Sequence, residues 1–248
     1  AKRLAFAERD RLVSDPGTSD IPLERMISKE RARELVATWS RGRTSNGSGQ
    51  GSAADSASDE AGSGDTVFLG VVDEEGNAVA LIQSLYNSFG SGRMVPGTGI
   101  VLHNRGGLFS LDPAHVNALA PKKRTYHTLA PAMALRADGS LAMVFGTPGS
   151  DGQTQTLLQV FNNIVLFGMM PQRAVEAPRW RSWDDDRLQV DDGVPAAVRE
   201  RLAALGYDVR VQVGYSADLG GAQVILVSAD GVRSVGADPR REAYGIAW

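Results

Sequence analysis

The 248 residues are 42% hydrophobic and 22% charged, which is ordinary for a globular protein that buries a substantial core. The net charge of −3 provides no basic surface for nucleic acid, and no apolar run reaches the roughly 18 residues of a membrane span. The absence of cysteine excludes disulfide bonds, thiol catalysis and cysteine-ligated zinc. It leaves the compartment, cytoplasmic or periplasmic, open.

Two helices are predicted at the start of the chain, over residues 2–13 and 28–40, because apolar residues recur there at helical spacing among charges. The first helix is too charged for the apolar core of a signal peptide. The sequence begins with alanine rather than methionine, and we expect it to be part of a longer precursor. Residues 41–64 are dominated by Gly, Ser, Ala and acids, which predicts a mobile linker.

Beyond the linker, predicted strands and helices fall into separate groups. Hairpin strands are predicted within residues 66–84 and 132–146, a buried helix over 152–168, a helix over 195–206, and closing strands at 208–213, 222–228 and 232–238. Strands joined by hairpins, with helices kept apart, indicate an α+β fold in which helices cover antiparallel sheets. A Rossmann-type alternation is disfavoured.

The usual catalytic and metal-binding motifs are lacking. His103, His115 and His127 have no metal-binding spacing such as HExxH, and the glycine-rich stretches lack the spacing of a phosphate-binding loop. The acidic run Asp184–Asp186 is typical of a solvated surface turn. We therefore expect no metal and no organic cofactor.

The abrupt change from linker to strand makes Thr66 a candidate nucleophile. A threonine hydroxyl needs an adjacent base. Cleavage between Asp65 and Thr66 would free an α-amino group whose pKa, ordinarily about 8, suits proton transfer near neutral pH. Such cleavage needs an accessible segment before a rigid strand, and both are predicted here. Threonine also opens many ordinary β-strands, so the local sequence leaves both interpretations open.

Several segments, in this order, resemble the γ-glutamyltransferase family of N-terminal nucleophile hydrolases. They are "DTVFLGVVDEEGNAVALIQS", "FGSGRMVPGTGIVLHN", "APKKRTYHTLAPAMAL", "FGTPGSDGQTQTLLQVFNNIVLFGM" and "GADPRREA". The resemblance implies an αββα sandwich of antiparallel sheets, with residues 66–248 as the small catalytic subunit and 43–65 as the linker before the autocleavage site. "AFAERDRLVSDP" and "MISKE" make residues 1–42 resemble the helical end of the large subunit. The implied partners are a small-molecule amide substrate and the large-subunit portion of the same precursor.

The resemblance also implies catalytic roles. Thr66 matches the family's self-cleaving nucleophile, and Ser84 matches a hydroxyl residue that supports the nucleophile's amino group. Gly149 and Ser150, in "TPGSDG", match the pair whose backbone N–H groups form the oxyanion hole. Without the resemblance, Gly149 is equally well explained as a turn that follows a strand.

Positions that hold the glutamyl group in the family are changed in this sequence. "HNRGGLF" replaces the family's "NNxMDDF", so Leu108 occupies the position of an aspartate that holds the substrate's ammonium group. His127 and Thr128 replace a serine pair that helps to bind the α-carboxylate, and Tyr86 replaces an asparagine. These changes imply the same acyl-transfer chemistry on a different acyl group.

The combination of "GDTV", "GVVD", "NRG" and "FSLDP" resembles the oxamate amidohydrolase branch of the family more closely than the glutathione-cleaving branch. Arg105 is then the candidate for binding a small carboxylate, assisted by His127 or Tyr86. A surface or interface salt bridge is the alternative for Arg105. The sequence thus predicts an N-terminal-threonine amidohydrolase or acyltransferase. A γ-glutamyltranspeptidase or glutathione hydrolase, and an inactive truncated member, remain the alternatives.

Overall fold

A computed structural model describes residues 1–38, 66–183 and 187–248, so the whole predicted linker and the acidic run Asp184–Asp186 lie outside the described residues. The helices are α1 (Lys2–Leu12), α2 (Leu23–Met26), α3 (Lys29–Thr38), α4 (Gly152–Val165), α5 (Pro171–Glu176) and α6 (Ala196–Ala204). The strands are β1 (Thr66–Val72), β2 (Ala78–Ser84), β3 (Ala132–Leu135), β4 (Leu141–Gly146), β5 (Trp180–Ser182), β6 (Arg187–Asp191), β7 (Asp208–Gln212), β8 (Gln223–Val227) and β9 (Arg233–Ala237). None of the helices in these ranges is long and apolar enough to cross a membrane.

Two antiparallel sheets stack face to face. The hairpin β1–β2 forms the first, and the second has the strand order β3-β4-β8-β9. Side chains of β1 alternate between the two faces of its sheet, as the period of a strand requires. The ring of Phe68 lies against Gly146 of β4, where even a Cβ atom would collide with it, and Gly70 faces Val144 and Ile225. The hairpin therefore rests on the second sheet through the inward residues of β1.

The opposite face of the second sheet carries helices α4 and α5 and the main hydrophobic core. Met143 and Phe145 point away from the hairpin, and the ring of Phe145 stacks on that of Phe161 with 5.9 Å between centroids. The rest of this core comes from α4, α5, β8 and the residue before β8, namely Leu157, Val160, Ile164, Ala174, Val175, Ala222 and Val224. The predicted α+β fold with antiparallel sheets is thus confirmed, with layers in the order sheet, sheet, helix.

The third sheet departs from the expectation of purely antiparallel pairing. Strands β5 and β6 are antiparallel, whereas β6 and β7 pair in parallel. The chain runs from β6 through α6 to β7, and a crossover through a helix brings the next strand back in the same direction. The sequence-based prediction missed β5, β6 and α5, and it extended the buried helix to residue 168 although α4 ends at Val165.

The outer face of the hairpin β1–β2 is apolar and exposed. Leu69 pairs with Leu81 across the strands and Val71 with Val79, and Val67 extends the same face. These five side chains are between 39% and 63% exposed. A contiguous apolar face of this kind is rare on a free protein surface and marks a place where another layer packs.

Candidate active site

Thr66 is the first residue of β1 and its side chain is buried, with 8% of the residue exposed. Its hydroxyl Oγ1 donates to Oγ of Ser84 at 2.8 Å, because the antiparallel register places Thr66 directly opposite Ser84. Ser84 Oγ also accepts from the backbone N–H of Tyr86 at 2.9 Å. The hairpin thus fixes the hydroxyl pair that the sequence predicts to be catalytic.

The chain beyond Ser84 is joined to the segment that carries Arg105. The N–H of Asn104 donates to the carbonyl of Leu85 at 3.2 Å, and the N–H of Asn87 donates to the side chain of Asn104 at 3.1 Å. Tyr86 lies within this connection at a φ of 79°, a backbone region that non-glycine residues seldom occupy. This connection brings the guanidinium of Arg105 over the Tyr86 ring, with 5.0 Å between the guanidinium carbon and the ring centre.

Arg105 is a buried cation without a counter-charge in the described part of the chain. Only 7% of the residue is exposed, and Nη1 has no hydrogen-bond partner among the described residues. Burial lowers the pKa of Arg105, with Tyr86 and Tyr126 acting in the opposite direction. Since a buried charge is costly unless it is paired, the guanidinium is a ready site for an anion. No salt bridge to Arg105 is found among the described residues, and the alternative of an interface salt bridge stays open.

The positive charge of Arg105 also acts on His127. Burial lowers the pKa of His127, and the positive charges of Arg105 and Arg124 lower it further. Its ring is therefore neutral at neutral pH, with Nδ1 accepting from the N–H of Leu129 at 3.2 Å. In the described residues, the side chain of Thr128 makes no hydrogen bond, and its predicted contribution to substrate binding stays a prediction.

The turn from residue 147 to residue 150 links β4 to α4. Gly149 has a φ of 132° and Ser150 a φ of 50°, so two successive residues are in the left-handed half of backbone space. In the described part of the chain, the N–H groups of Gly149 and Ser150 donate no hydrogen bond. Phe68, which shares the inward face of β1 with Thr66, packs against Gly146 immediately before this turn.

The N-terminal segment also reaches the site, which the sequence-based prediction missed. Arg9 of α1 donates from Nη1 to Oδ1 of Asp151 at 2.5 Å, and its guanidinium carbon lies 5.4 Å from the centre of the Tyr126 ring. Asp15 accepts from the backbone N–H of Arg124 at 2.9 Å, and this hydrogen bond is the main reason that the pKa of Asp15 falls to about 2. Tyr126 and Arg9 are thus additional candidate residues.

Contacts therefore connect four of the eight predicted site residues. Thr66, Ser84, Tyr86 and Arg105 follow one another through hydrogen bonds and a cation–π contact, and Tyr126 acts electrostatically on both Arg105 and Arg9. Leu108, which the resemblance places at the family's ammonium-binding aspartate, is buried with 7% exposed and offers no charge. The described residues contain no group of three or more His, Asp or Glu side chains suited to a metal ion.

Substituting Ser150 tests the strain in the turn. Both Ser150→Gly and Ser150→Ala remove the hydroxyl, but only glycine relieves a φ of 50°. We expect the free energy of unfolding of Ser150→Gly to exceed that of Ser150→Ala by about 1 kcal/mol, as measured by urea denaturation. Equal stabilities would show that the turn carries no such strain.

Two stacked antiparallel sheets, helices on one face, and a buried threonine that opens a strand agree with the fold of N-terminal nucleophile hydrolases. A sequence profile of the gamma-glutamyltranspeptidase family matches residues 1–248. The chain therefore belongs to the gamma-glutamyltranspeptidase family.

Individual relatives refine this assignment. The chain is 38% identical over 251 residues to the glutathione hydrolase-like YwrD proenzyme of Bacillus subtilis, covering 99% of this chain and 46% of that protein. It is 39% identical over 254 residues to the oxamate amidohydrolase proenzyme of Klebsiella pneumoniae, covering 100% of this chain and 46% of that protein. It thus spans less than half the length of either relative. The two identities are too similar to choose between the two activities.

The structure is also similar to the crystal structure of cephalosporin acylase from Bacillus halodurans. The TM-score is 0.84 at 33% sequence identity, over 99% of this chain and 43% of that chain. At 99% coverage, the likeness includes the N-terminal helices as well as the sheets.

Proposed function

We propose that the protein is a self-processing N-terminal-threonine amidohydrolase whose substrate is a small amide bearing a carboxylate, of the oxamate type. The observation that carries the proposal is the buried Thr66 hydroxyl, held by Ser84 at 2.8 Å at the start of a strand. Membership of a family whose relatives are named as proenzymes supports the processing step.

Processing begins with attack of Thr66 Oγ1 on the carbonyl carbon of Asp65. The peptide C–N bond breaks as the ester forms, and the proton from the hydroxyl goes to the departing α-amino group. Water then hydrolyses the ester, leaving a carboxylate on Asp65 and a free amine on Thr66. Ser84 is placed to orient the hydroxyl during attack, because it already receives the hydrogen bond of Thr66 Oγ1.

The same hydroxyl then attacks the amide substrate. The freed α-amino group of Thr66 takes the hydroxyl proton and delivers it to the leaving nitrogen, and water releases the acyl group from the ester. The N–H groups of Gly149 and Ser150 are candidates for stabilising the oxyanion, since neither donates to another described residue. Both donors are backbone groups, so a serine serves there as well as a glycine.

Arg105 supports the assignment of the substrate class. A guanidinium with 7% exposure and an unpartnered Nη1 can bind a small carboxylate through two parallel hydrogen bonds. Leu108 cannot pair with the ammonium group of a glutamyl substrate. A carboxylate without a neighbouring ammonium group, as in oxamate, fits this combination of charges better than glutamate does.

Replacing Arg105 with methionine separates binding from folding. The variant keeps a similar volume but removes the buried charge, so we expect stability to be unchanged or higher. We expect kcat/KM for oxamate to fall about 30-fold, equivalent to the roughly 2 kcal/mol of a charge-assisted hydrogen bond. Steady-state kinetics on oxamate and thermal unfolding would measure the two effects.

Oxamide, which lacks the carboxylate, is the matched control substrate for this variant. Its turnover is expected to change little between the wild-type protein and Arg105→Met. An equal loss of kcat/KM with both substrates would show that Arg105 does not bind the carboxylate. Efficient turnover of a γ-glutamyl anilide by the wild-type protein would instead favour the glutathione hydrolase alternative.

We further propose that the large-subunit portion of the precursor covers the exposed face of the hairpin β1–β2. The relatives are about twice as long as this chain, and the five apolar side chains from Val67 to Leu81 have no cover in the described residues.

Intact-mass analysis of the full-length protein tests the processing itself. Two fragments that divide before Thr66 are expected, and a single uncleaved mass without amidase activity would contradict the proposal.

A further inference from the structure

Asp151, immediately after the turn at Gly149 and Ser150, does not cap its helix in the way that an aspartate at a helix N-terminus usually does. It is the N-cap residue of α4, yet its side chain makes no capping hydrogen bond to the helix. With 7% exposure, its carboxylate instead pairs with Arg9, which lies 142 positions earlier in the chain. Helix α1, which lies outside the two sheets, thus contacts the residue that follows the turn.

Arg9 is itself held on several sides. Its guanidinium carbon lies 4.1 Å from the centre of the Phe6 ring and 5.4 Å from that of Tyr126, and Nε donates to Asp10 at 2.7 Å. Burial lowers the pKa of Arg9, but the carboxylates of Asp151 and Asp10 outweigh that effect and the net shift is upward. The guanidinium therefore remains charged and has little freedom to turn.

The turn needs such support because its backbone is strained. Ser150 has a φ of 50°, which is costly for a non-glycine residue and persists only where the surroundings hold it, whereas Gly149 adopts its φ of 132° without that cost. Within the turn, the N–H of Gln153 donates to the carbonyl of Ser150 at 3.0 Å. Among the described residues, the contact that ties the carboxylate of Asp151 to a distant element comes from Arg9.

We propose that Arg9 is a positioning residue that fixes the Gly149–Ser150 turn through Asp151, so that segment 1–38 controls the geometry of the oxyanion site. The catalytic consequence rests on the proposed function. Misplaced donors weaken the transition state more than the bound substrate, so kcat falls while KM stays unchanged. The segment that precedes the cleavage site then remains a working part of the processed enzyme.

Arg9→Ala and Asp151→Asn in the full-length protein test this proposal, with Arg31→Ala as the matched control. Arg31 pairs with Glu8 at 2.8 Å in the same N-terminal segment but does not touch the turn. We expect kcat to fall about 10- to 100-fold in Arg9→Ala, with KM unchanged and no such loss in Arg31→Ala. The double variant Arg9→Ala/Asp151→Asn is expected to lose no more than the worse single variant, because both act through one contact.

Amide hydrogen exchange provides a readout that does not depend on activity. Exchange of the peptide spanning residues 149–153 is expected to be at least about tenfold faster in Arg9→Ala than in Arg31→Ala. Unchanged exchange, or faster exchange with an unaltered kcat, would overturn the proposal. If the wild-type protein shows no turnover, the proposed function fails, and the exchange comparison alone decides whether Arg9 fixes the turn.

Discussion

Replacing Thr66 with alanine is expected to leave a single uncleaved chain and no amidase activity. In the proposed mechanism, the substitution removes the hydroxyl that attacks Asp65 and later the substrate, and without cleavage no α-amino group is freed to act as base. We expect kcat to fall by at least roughly 10⁴-fold, as when the nucleophile of another hydrolase is removed. Intact-mass analysis and amidase assays of the purified full-length protein measure both effects.

Two further variants make this result specific. Thr66→Ser retains a hydroxyl opposite Ser84 and is expected to process and to retain activity. Ser84→Ala removes the acceptor of the 2.8 Å hydrogen bond but not the nucleophile, so slower rather than abolished processing is expected. Cleavage of Thr66→Ala before residue 66 would overturn the mechanism, because no hydroxyl would then be present to attack.

The hairpin and its threonine could be predicted from the sequence because their signals are local. The two β-rich apolar runs between Thr66 and Ser84 indicate the strands, and the turn at Gly76 between them determines their register. That register alone places Thr66 opposite Ser84. The prediction missed β6 because "RLQVD" mixes charged and apolar residues in too short a run, although Leu188 and Val190 are buried in the structure.

The contributions of Arg9 and Asp151 could not be predicted from the sequence, because the contact joins residues 142 positions apart. On a charged helix such as α1, Arg9 looks like one solvated cation among several, and Asp151 looks like an ordinary N-cap. Arg105 was identified only through the family resemblance. Its burial and unpaired Nη1 depend on how the segment from residue 103 to residue 105 joins the hairpin.

A buried ion-pair network beyond the site has the largest expected effect on stability. Asp238 is 1% exposed and forms a short hydrogen-bonded ion pair with Arg179, while its other oxygen accepts from Nη1 of Arg240 at 3.1 Å. Asp238 also accepts from the N–H of Ala222 at 2.9 Å, which ties the residue after β9 to the start of β8. Asp191 completes the network by pairing with Arg240 at 2.6 Å.

Asp238→Asn preserves the shape of the side chain but leaves Arg179 buried beside a neutral amide. Because Arg179 is fully buried and burial already lowers its pKa, loss of the counter-charge leaves an uncompensated cation. We expect the free energy of unfolding to fall by about 3–5 kcal/mol, measured by urea denaturation. Asp208→Asn is the control, since Asp208 pairs with Arg210 at 2.8 Å on the exposed surface and is expected to cost less than about 1 kcal/mol. Equal losses in the two variants would show that the buried network contributes no more than a surface ion pair.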